Sequence, residues 1–449
     1  MERAIGMAEV QFESPQSAHW KKRACEVIPG GVQSANRRKD DPCLVFTGGG
    51  KARIRTATGE ELIDYWGGGG PNILGQAPEY VIEKTYEAMR GGSVIGAGIT
   101  VGEVELAERL LAHVPWRQSI LFACEGSTVT QYAGRLARAV TGRDCYIKAE
   151  GGYHGYWDGA LVSVDPTAEW LGRPMPHSKG MLPEVVAKTM VVKYNDLGAI
   201  RGLLEQHGER IAAVMVEPVL HSAPTILPRS GYLRGLRELC DEFGSLLVFD
   251  EMVTGTRLHL GGYQVVEGVQ PDLTAGGKAV SGGVVPLSYL RGRPELMDRF
   301  STRPLGDVAW TGTYNAFPAA LAAGLATDDV LANGEIHEHI NRLGEAMRAG
   351  LRDIVAEAGI EASVLGLGSV YTLWFGPEPT DYSDVLAGDR VLFARHRRGL
   401  VRRGVWEKPG YDGAGRCVIS AAHTQADIDL TLEAQRDALR EALKVGDGA

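Results

Sequence analysis

The stretch that decides the fold is residues 231–251, GYLRGLRELCDEFGSLLVFDE. Its first part carries apolar side chains at helical spacing, and Gly244 closes that pattern. The following SLLVF is a short, continuous apolar run that ends in the carboxylates Asp250 and Glu251. An amphipathic helix followed at once by a wholly apolar strand is typical of an α/β protein with a parallel sheet covered on both faces.

The same alternation continues on both sides of this stretch. Apolar segments predict further buried strands, and segments with helical periodicity lie between them: SILFAC, CYIKAE and IAAVMVEP for the strands, EVELAERLLAHV and TVTQYAGRLARAVTG for the helices. We therefore predict a large domain over residues 75–325, with a mainly parallel central sheet covered by helices.

The two ends of the chain predict a smaller α+β domain. Residues 1–74 contain a short helical pattern from Pro15 to Cys25 and then CLVF, KARIRTATG and EELIDYW, which predict a small antiparallel meander. Residues 326–449 predict a long helix from about Gly334 to Gly359, a few strands, and a final helix that begins at Thr424. Thr424 and Asp427 resemble a capping box for that last helix.

Composition narrows the class of protein. The chain has 449 residues, is 44% hydrophobic and 23% charged, and carries a formal net charge of −9, which suits a soluble globular protein and argues against a nucleic-acid or anionic-membrane partner. Its six cysteines form no CxxC pair, and reduced thiols in a cytoplasmic protein are the simplest interpretation. No apolar run predicts a signal peptide or a membrane span.

Two predicted apolar strands are followed by residues with reactive or charged side chains. Asp250 follows SLLVF, and Lys278 follows the strand-like LTAGG. Ligands of open parallel sheets bind at the carboxyl ends of the strands, and a lysine held near neutrality is a Schiff-base nucleophile. Taken alone, Asp250 is equally compatible with a helix cap or a salt bridge, and Lys278 with a solvated loop.

Two further segments suggest a bound ligand. Gly126, Ser127 and Thr128 lie between a strand and a helix, where free amides and a hydroxyl suit a phosphate or cap the helix. The loop in KAEGGYHGYWDG presents Tyr153 and His154, and an aromatic ring can stack on a flat heterocycle or simply pack.

One pattern that invites a metal interpretation is IHEHI. His337 and His339 are two residues apart on a predicted helix and so cannot share a face. We therefore predict no metal site.

Taken together, these segments resemble one family. The order GST, YHG, EPV, DEM, GGK and GTYNAFP is similar to the class III (ornithine-type) aminotransferases of pyridoxal 5′-phosphate (PLP) fold type I. The glutamate-1-semialdehyde aminomutase branch is the most similar, through VIPGGVQSANR, GPNILG, GEVELAERL, RLARAVTGRD, VVKYNDLGAI and ISAAHTQADID. The resemblance covers nearly the whole chain and implies PLP as cofactor, small amino and keto substrates, and a homodimer with the active site at its interface.

The resemblance also implies roles for single residues at the reactive end of the cofactor. Lys278 matches the Schiff-base lysine, which moves a proton between substrate Cα and cofactor C4′. Asp250 matches the acid that keeps the pyridine nitrogen protonated, so that the ring acts as an electron sink. Tyr153 matches the aromatic residue that stacks on the ring, with His154 beside it, and Met252 matches the residue against the opposite ring face.

Other matched residues lie around the phosphate and the substrate. Gly126 and Ser127 match the phosphate loop, and Thr313 matches the threonine that reaches the phosphate of the neighbouring subunit. Glu217 matches an acid near the cofactor. Arg37 matches the arginine that clamps a substrate carboxylate, a task that suits a bidentate guanidinium; a surface arginine is the alternative.

The chain departs from the family pattern at sites that face the substrate or the phosphate. The usual SGTEA is Glu125-Gly126-Ser127-Thr128-Val129, and we expect the added carboxylate of Glu125 to point away from an anionic phosphate. The usual SWGP loop is replaced by Gly69-Gly70-Pro71, and the C-terminal acidic stretch is replaced by the longer WEKPGYDGAG.

Three functions follow from these observations. The first is amino-group transfer between an amino compound and a keto or aldehyde acceptor through Lys278. The second keeps the cofactor but acts within one molecule, as an aminomutase, or without an acceptor, as an epimerase or decarboxylase. The third is a non-catalytic protein on the same fold, which the altered loops motivate and the retained lysine, aspartate and tyrosine oppose.

Overall fold

The computed structural model describes residues 14–34, 37, 43–301, 306–408 and 415–444. Within them the chain forms two compact units. The large unit comprises Glu79–His337 and Pro379–Leu386, and the described residues before, between and after these ranges form the small unit.

The secondary structure of the described residues follows the alternation seen in the sequence. In chain order, the strands are β1 (Phe46–Gly50), β2 (Arg53–Thr56), β3 (Glu61–Asp64), β4 (Ser119–Ala123), β5 (Cys145–Ala149), β6 (Thr189–Val192), β7 (Ile211–Val216), β8 (Leu246–Asp250), β9 (Leu273–Gly276), β10 (Ser288–Gly292), β11 (Ser363–Leu365), β12 (Val370–Trp374), β13 (Val405–Trp406) and β14 (Cys417–Val418). The α-helices span Pro15–Val27, Glu79–Gly91, Val101–Ala112, Gly126–Thr141, Pro183–Val186, Leu197–His207, Tyr232–Phe243, Tyr263–Glu267, Pro294–Met297, Pro318–Leu331, Glu335–Ala358, Tyr382–Val385, Arg390–Arg402 and Gln425–Lys444.

The large unit is built on a seven-stranded sheet with the order β4-β10-β9-β8-β7-β5-β6. The pairs from β9 through β8, β7 and β5 to β6 are parallel, and β10 is antiparallel to both of its neighbours. Every residue of β5, β7, β8, β9 and β10 is buried, so both faces of these strands are covered. The predicted mainly parallel sheet is confirmed.

The segment that decides the fold has the predicted form. Helix Tyr232–Phe243 ends at Gly244, which has φ +65° and donates its N–H to the carbonyl of Cys240. This left-handed conformation favours glycine, and it turns the chain so sharply that only Gly244 and Ser245 separate the helix from β8. The strand then ends at Asp250.

A helix next to the sheet is fixed by burial of its apolar face. Helix Gly126–Thr141 buries Val129, Ala133 and Leu136 in a cluster that also holds residues of β7, β8 and β9. Full burial of a leucine or valine side chain contributes about 1.5–3 kcal/mol. This packing sets the position of the first turn of the helix relative to the ends of those strands.

The small unit combines residues from both ends of the chain. Strands β1, β2 and β3 form the antiparallel meander, and β13 pairs with β3 in parallel. The segment CLVF is not itself a strand, because β1 begins only at Phe46 and continues through glycines that pair with β2. Thr424 and Asp427 form the predicted capping contacts, with Asp427 Oδ2 accepting from Thr424 N at 2.8 Å.

Strand β10 is one of those that the sequence patterns did not predict. β10 contains Arg291, a residue that does not favour a buried strand. The side chain is nevertheless fully buried, and it donates to the carbonyls of Leu110 and Gly261 at 3.2 and 2.6 Å. These two acceptors bind the two terminal nitrogens of a charged side chain that the sequence pattern treats as exposed.

Candidate active site

The predicted site residues of the large unit gather at one edge of its sheet. β4, β8 and β9 run in the same direction, because β10 is antiparallel to both β4 and β9 and β9 is parallel to β8. Their carboxyl ends, at Ala123, Asp250 and Gly276, therefore lie at the same edge. Ligands of α/β sheets bind at this edge.

Asp250 forms a buried pair with His154, which we call the Asp250–His154 pair. Asp250 is 4% exposed and His154 1% exposed, and Asp250 Oδ2 lies 2.8 Å from His154 Nδ1. The other oxygen, Oδ1, accepts from Met252 N at 3.1 Å. A buried carboxylate needs such partners, and this one is held in a fixed orientation by two elements of the chain.

Lys278 lies just beyond the end of β9. Its φ is +49°, which is uncommon for a residue with a side chain. Strain of this kind persists where the surrounding structure enforces it and is frequent at active sites. The preceding Gly277 is closely packed, since an added Cβ would lie 2.5 Å from Ser288 Oγ and 3.0 Å from Met252 Sδ.

The ladder between β8 and β9 brings the aspartate and the lysine to neighbouring strand ends. Asp250 pairs with Ala275, three positions before Lys278, and Glu251 N donates to Ala275 O at 2.8 Å. Met252 lies between Gly277, which precedes the lysine, and Gly126, at the start of helix Gly126–Thr141. A Cβ added to Gly126 would be 2.9 Å from Met252 Sδ. The structure therefore brings Asp250, Lys278, Met252 and Gly126 together.

The first turn of helix Gly126–Thr141, with its N-cap Glu125, is called here the Gly126 turn (residues 125–128). The first amides of an α-helix have no partner within the helix and suit an anion. Glu125 does not cap the helix with its side chain. Its carboxylate instead accepts a hydrogen bond from the Tyr156 hydroxyl, so the added charge is directed to that tyrosine.

The loop with Tyr153 and His154 packs against the Gly126 turn. An added Cβ on Gly155 would lie 2.7 Å from Ser127 Oγ, and Tyr156 N donates to that oxygen at 3.3 Å. The Tyr153 side chain is 40% exposed, so part of its ring is accessible for stacking. Burial raises the pKa of Tyr153, and a hydrogen bond with Ser127 opposes that shift.

Glu217, the predicted acid near the cofactor, binds backbone amides. Its Oε1 accepts from Tyr153 N, and its Oε2 accepts from the amides of His221 and Ser222, each at 3.1 Å. The carboxylate is buried and joins the Tyr153 loop to the turn that follows β7. This geometry gives Glu217 a role in holding the loop.

Thr313 is exposed beside the end of β4, where Cys124 Sγ donates to the carbonyl of the next residue, Tyr314, at 3.5 Å. It lines a cavity of about 530 Å³ together with residues 94–100 and 315–318. Neither Lys278 nor Asp250 lines that cavity. Thr313 therefore lies close in space to the segment that leads into the Gly126 turn, but it lines a cavity to which neither Lys278 nor Asp250 contributes.

The predicted substrate-binding residue Arg37 and the two histidines of IHEHI lie elsewhere. Arg37 belongs to the small unit, is exposed, and donates its backbone N–H to Ser34 O at 2.9 Å. His337 Nε2 lies 2.7 Å from the Thr256 carbonyl, and His339 Nε2 lies 2.9 Å from the carbonyl of His423. Each of these histidines therefore contacts a backbone carbonyl.

Lys148, within CYIKAE, was not among the predicted site residues. This lysine is 2% exposed in β5, and its Nζ donates to Gly152 O at 2.7 Å and also to Val162 O. A charged residue in the middle of a buried apolar strand was the available signal.

Comparison with known proteins agrees with this geometry. A sequence model of the family described as "Aminotransferase class-III" matches residues 34–408. The chain is 40% identical over 419 residues to a glutamate-1-semialdehyde 2,1-aminomutase of Methanothermobacter thermautotrophicus, covering 93% of this chain and 97% of the relative. An omega-transaminase structure from Sphaerobacter thermophilus matches with a TM-score of 0.87 and 30% identity, over 95% of this chain and 98% of its own. A transaminase with PLP bound also matches with a TM-score of 0.87, at 27% identity, over 97% and 100% of the two chains.

Proposed function

Because this chain belongs to the class-III aminotransferase family, we propose that it moves an amino group between an amino compound, such as an amino acid, and a keto or aldehyde acceptor, with Lys278 as the reactive amine. The membership confirms the predicted family, its fold type I and its cofactor, PLP. It also favours an enzyme over the non-catalytic alternative.

The residues at the sheet edge fit the parts of the cofactor. The free amides of the Gly126 turn and the hydroxyl of Ser127 suit a phosphate, and the accessible face of Tyr153 suits a flat ring. The Asp250 carboxylate suits a protonated ring nitrogen, and Met252 offers an apolar surface between Gly126 and Gly277. When bound, PLP supplies an electron sink for negative charge that develops at the substrate Cα.

The chain's own residues then have separate tasks. Asp250 holds the proton on the ring nitrogen, and His154 fixes the orientation of that carboxylate through the 2.8 Å contact. The Lys278 amine holds the cofactor and carries the proton between substrate Cα and cofactor C4′. The observation on which the proposal depends is the placement of Asp250 and Lys278 at the ends of neighbouring strands.

Borohydride reduction followed by peptide mass analysis tests this assignment. In the unmodified protein, a reduced PLP adduct is expected on Lys278. Lys278→Ala should lose the adduct and the visible absorption band and lower turnover by about a thousandfold or more. Lys193→Ala, a change at an exposed lysine of the same unit, should keep both. An unchanged spectrum in Lys278→Ala would reject the assignment.

A second reaction is supported by the 40% identity to a glutamate-1-semialdehyde aminomutase. An aminomutase moves the amine within one molecule and shares the early proton transfers of an aminotransferase. Gly69-Gly70-Pro71 replaces the SWGP loop, which faces the substrate in the family, so we expect a substrate other than glutamate-1-semialdehyde. Sustained turnover of a single amino substrate, with no keto acid added, would establish the mutase, epimerase or decarboxylase instead.

We further propose that the enzyme is a homodimer and that Thr313 reaches the cofactor phosphate of the partner. Ile95, Ile99 and Val101 are 64, 81 and 73% exposed beside the cavity that Thr313 lines. Several exposed apolar side chains within one short segment are typical of an interface. Light scattering should give twice the chain mass, and Val101→Asp should lower both that mass and the PLP affinity. A monomer that binds PLP as tightly would contradict this proposal.

The substrate and the location of the enzyme complete the proposal. Arg37 would bind a substrate carboxylate, and Arg37→Lys should raise the KM of a carboxylate donor more than that of an uncharged amine, because lysine lacks the bidentate fork.

No helix in the described ranges is long and apolar enough to cross a membrane. The cysteines are free thiols, which suits the proposed cytoplasmic location. The net charge of −9 disfavours nucleic-acid partners.

A further inference from the structure

The peptide group between Gly152 and Tyr153 is held at both ends by buried side chains of opposite charge. Its carbonyl oxygen, on Gly152, accepts from Lys148 Nζ at 2.7 Å. Its N–H, on Tyr153, donates to Glu217 Oε1 at 3.1 Å. Because one amide plane carries both contacts, the plane cannot rotate without breaking one of them.

Lys148 is an expensive residue at this position. It is 2% exposed in β5, between Ile147 and Ala149, which are equally buried and apolar. Burial lowers the pKa of Lys148 to about 7, and the carboxylates of Glu217 and Glu150 oppose that shift. A methionine would fill the same space without this cost of burial, so the ammonium group must contribute through its contacts.

The held amide controls two side chains on which the proposed function depends. Tyr153 follows the peptide group directly, and His154 follows Tyr153. The His154 imidazole in turn lies 2.8 Å from Asp250 Oδ2. A rotation of the amide would therefore displace the stacking ring and the partner of the aspartate together.

We propose that Lys148 is a positioning residue, which holds the Gly152–Tyr153 amide so that Tyr153 stacks on the cofactor and His154 stays on Asp250. This inference rests on the proposed function. It assigns Lys148 no contact with substrate or cofactor. Through Val162 O, its second acceptor, the same ammonium group ties a further loop segment to the strand.

The test compares Lys148→Met with Lys188→Met in the full-length protein. Lys188 precedes β6 and pairs on the surface with Asp144, so its change controls for loss of a lysine near the same strands. We expect Lys148→Met to raise the Kd for PLP by about tenfold or more, as removal of a buried hydrogen bond allows, and to alter the visible circular dichroism of the bound cofactor. Lys188→Met should change the Kd by less than about twofold.

A merely structural lysine would give another pattern. The apo-protein would unfold at a lower temperature, while the Kd for PLP and the visible circular dichroism stayed at the unmodified values, and that pattern would overturn the proposal. If Lys148→Met is insoluble, Lys148→Gln decides in the same way, because glutamine keeps an N–H donor on a shorter side chain. Lys148→Gln should raise the Kd for PLP less than Lys148→Met does, and it should still alter the visible circular dichroism. If the Kd and the dichroism both kept the values of the unmodified protein, the proposal would be overturned.

A double-mutant cycle tests the route through Tyr153. If Lys148 acts by placing that ring, its removal should matter less once the ring is gone. The factor by which Lys148→Met raises the Kd for PLP should therefore be at least about threefold smaller in a Tyr153→Ala background than in the unmodified protein. Additive effects would show that Lys148 acts elsewhere. Failure of the proposed function is separate and would appear in the unmodified protein, as absence of PLP binding and of the Lys278 adduct.

Discussion

The Asp250–His154 pair and the Gly126 turn are assigned to opposite ends of one cofactor, and they are built differently. The pair is almost fully buried, and both Asp250 oxygens have partners within the protein. The Gly126 turn is more exposed, keeps free amides, and carries Glu125, which departs from the family pattern. The end proposed to face the ring nitrogen is therefore held by buried contacts within the protein, whereas the end proposed to bind the phosphate is more exposed and departs from the family pattern at Glu125.

The largest effect should come from removing the charge of the pair. Asp250→Asn keeps the shape but no longer holds a proton on the ring nitrogen, and kcat/KM should fall by about 10² to 10³. The melting temperature should change far less. Asp241→Asn, at an exposed position on helix Tyr232–Phe243, is the control and should leave kcat/KM unchanged. If Asp250→Asn turned over substrate as fast as the unmodified protein, the proposed role of Asp250 in keeping the ring nitrogen protonated would be wrong.

A smaller loss is expected when only the histidine is changed. His154→Phe leaves the buried Asp250 carboxylate with the Met252 amide alone, and a hydrogen bond to a charged group is worth about 1.5–3 kcal/mol. We expect kcat/KM to fall by about ten- to a hundredfold. His154→Gln restores a donor and should recover part of the loss. Equal activity of both variants would argue against an orienting role.

At the other end of the site, Ser127→Ala should mainly weaken cofactor binding. The free amides of the Gly126 turn remain, so the Kd for PLP should rise by about tenfold or less, with kcat at saturating PLP nearly unchanged. Equilibrium dialysis measures this difference. If kcat fell as much in Ser127→Ala as in Asp250→Asn, the proposed difference between the Asp250–His154 pair and the Gly126 turn would be wrong.

The smallest effect on activity should come from Glu125→Gln. Kd and kcat should change by no more than about threefold, because the side chain is exposed and directed to Tyr156. The hydrogen bond to the carboxylate raises the pKa of Tyr156, so the contact persists at neutral pH and is lost as pH rises through that raised value. An ultraviolet pH titration should show Tyr156 ionising at lower pH in the variant.

Much of this site follows from the sequence, for a physical reason. Strand ends and glycine-flanked loops are local patterns, and parallel strands carry their ends to one edge, so Asp250, Lys278 and the Gly126 turn could be predicted to meet. The partners of buried polar groups could not be predicted. Glu217 holds three amides from two loops, and Lys148 holds two carbonyls, and no local pattern specifies which backbone atoms approach them.

The single antiparallel strand of the large sheet has a geometric consequence. β10 separates β4 from β9, and adjacent strands are about 4.8 Å apart. The strand that leads into helix Gly126–Thr141 and the strand that leads into Lys278 are therefore spaced by two strand widths, about 9.6 Å. Backbone hydrogen bonding sets that span, so any sequence that preserves this strand order keeps the same spacing, with Ser288 at the start of β10 between Ala123 and Gly277.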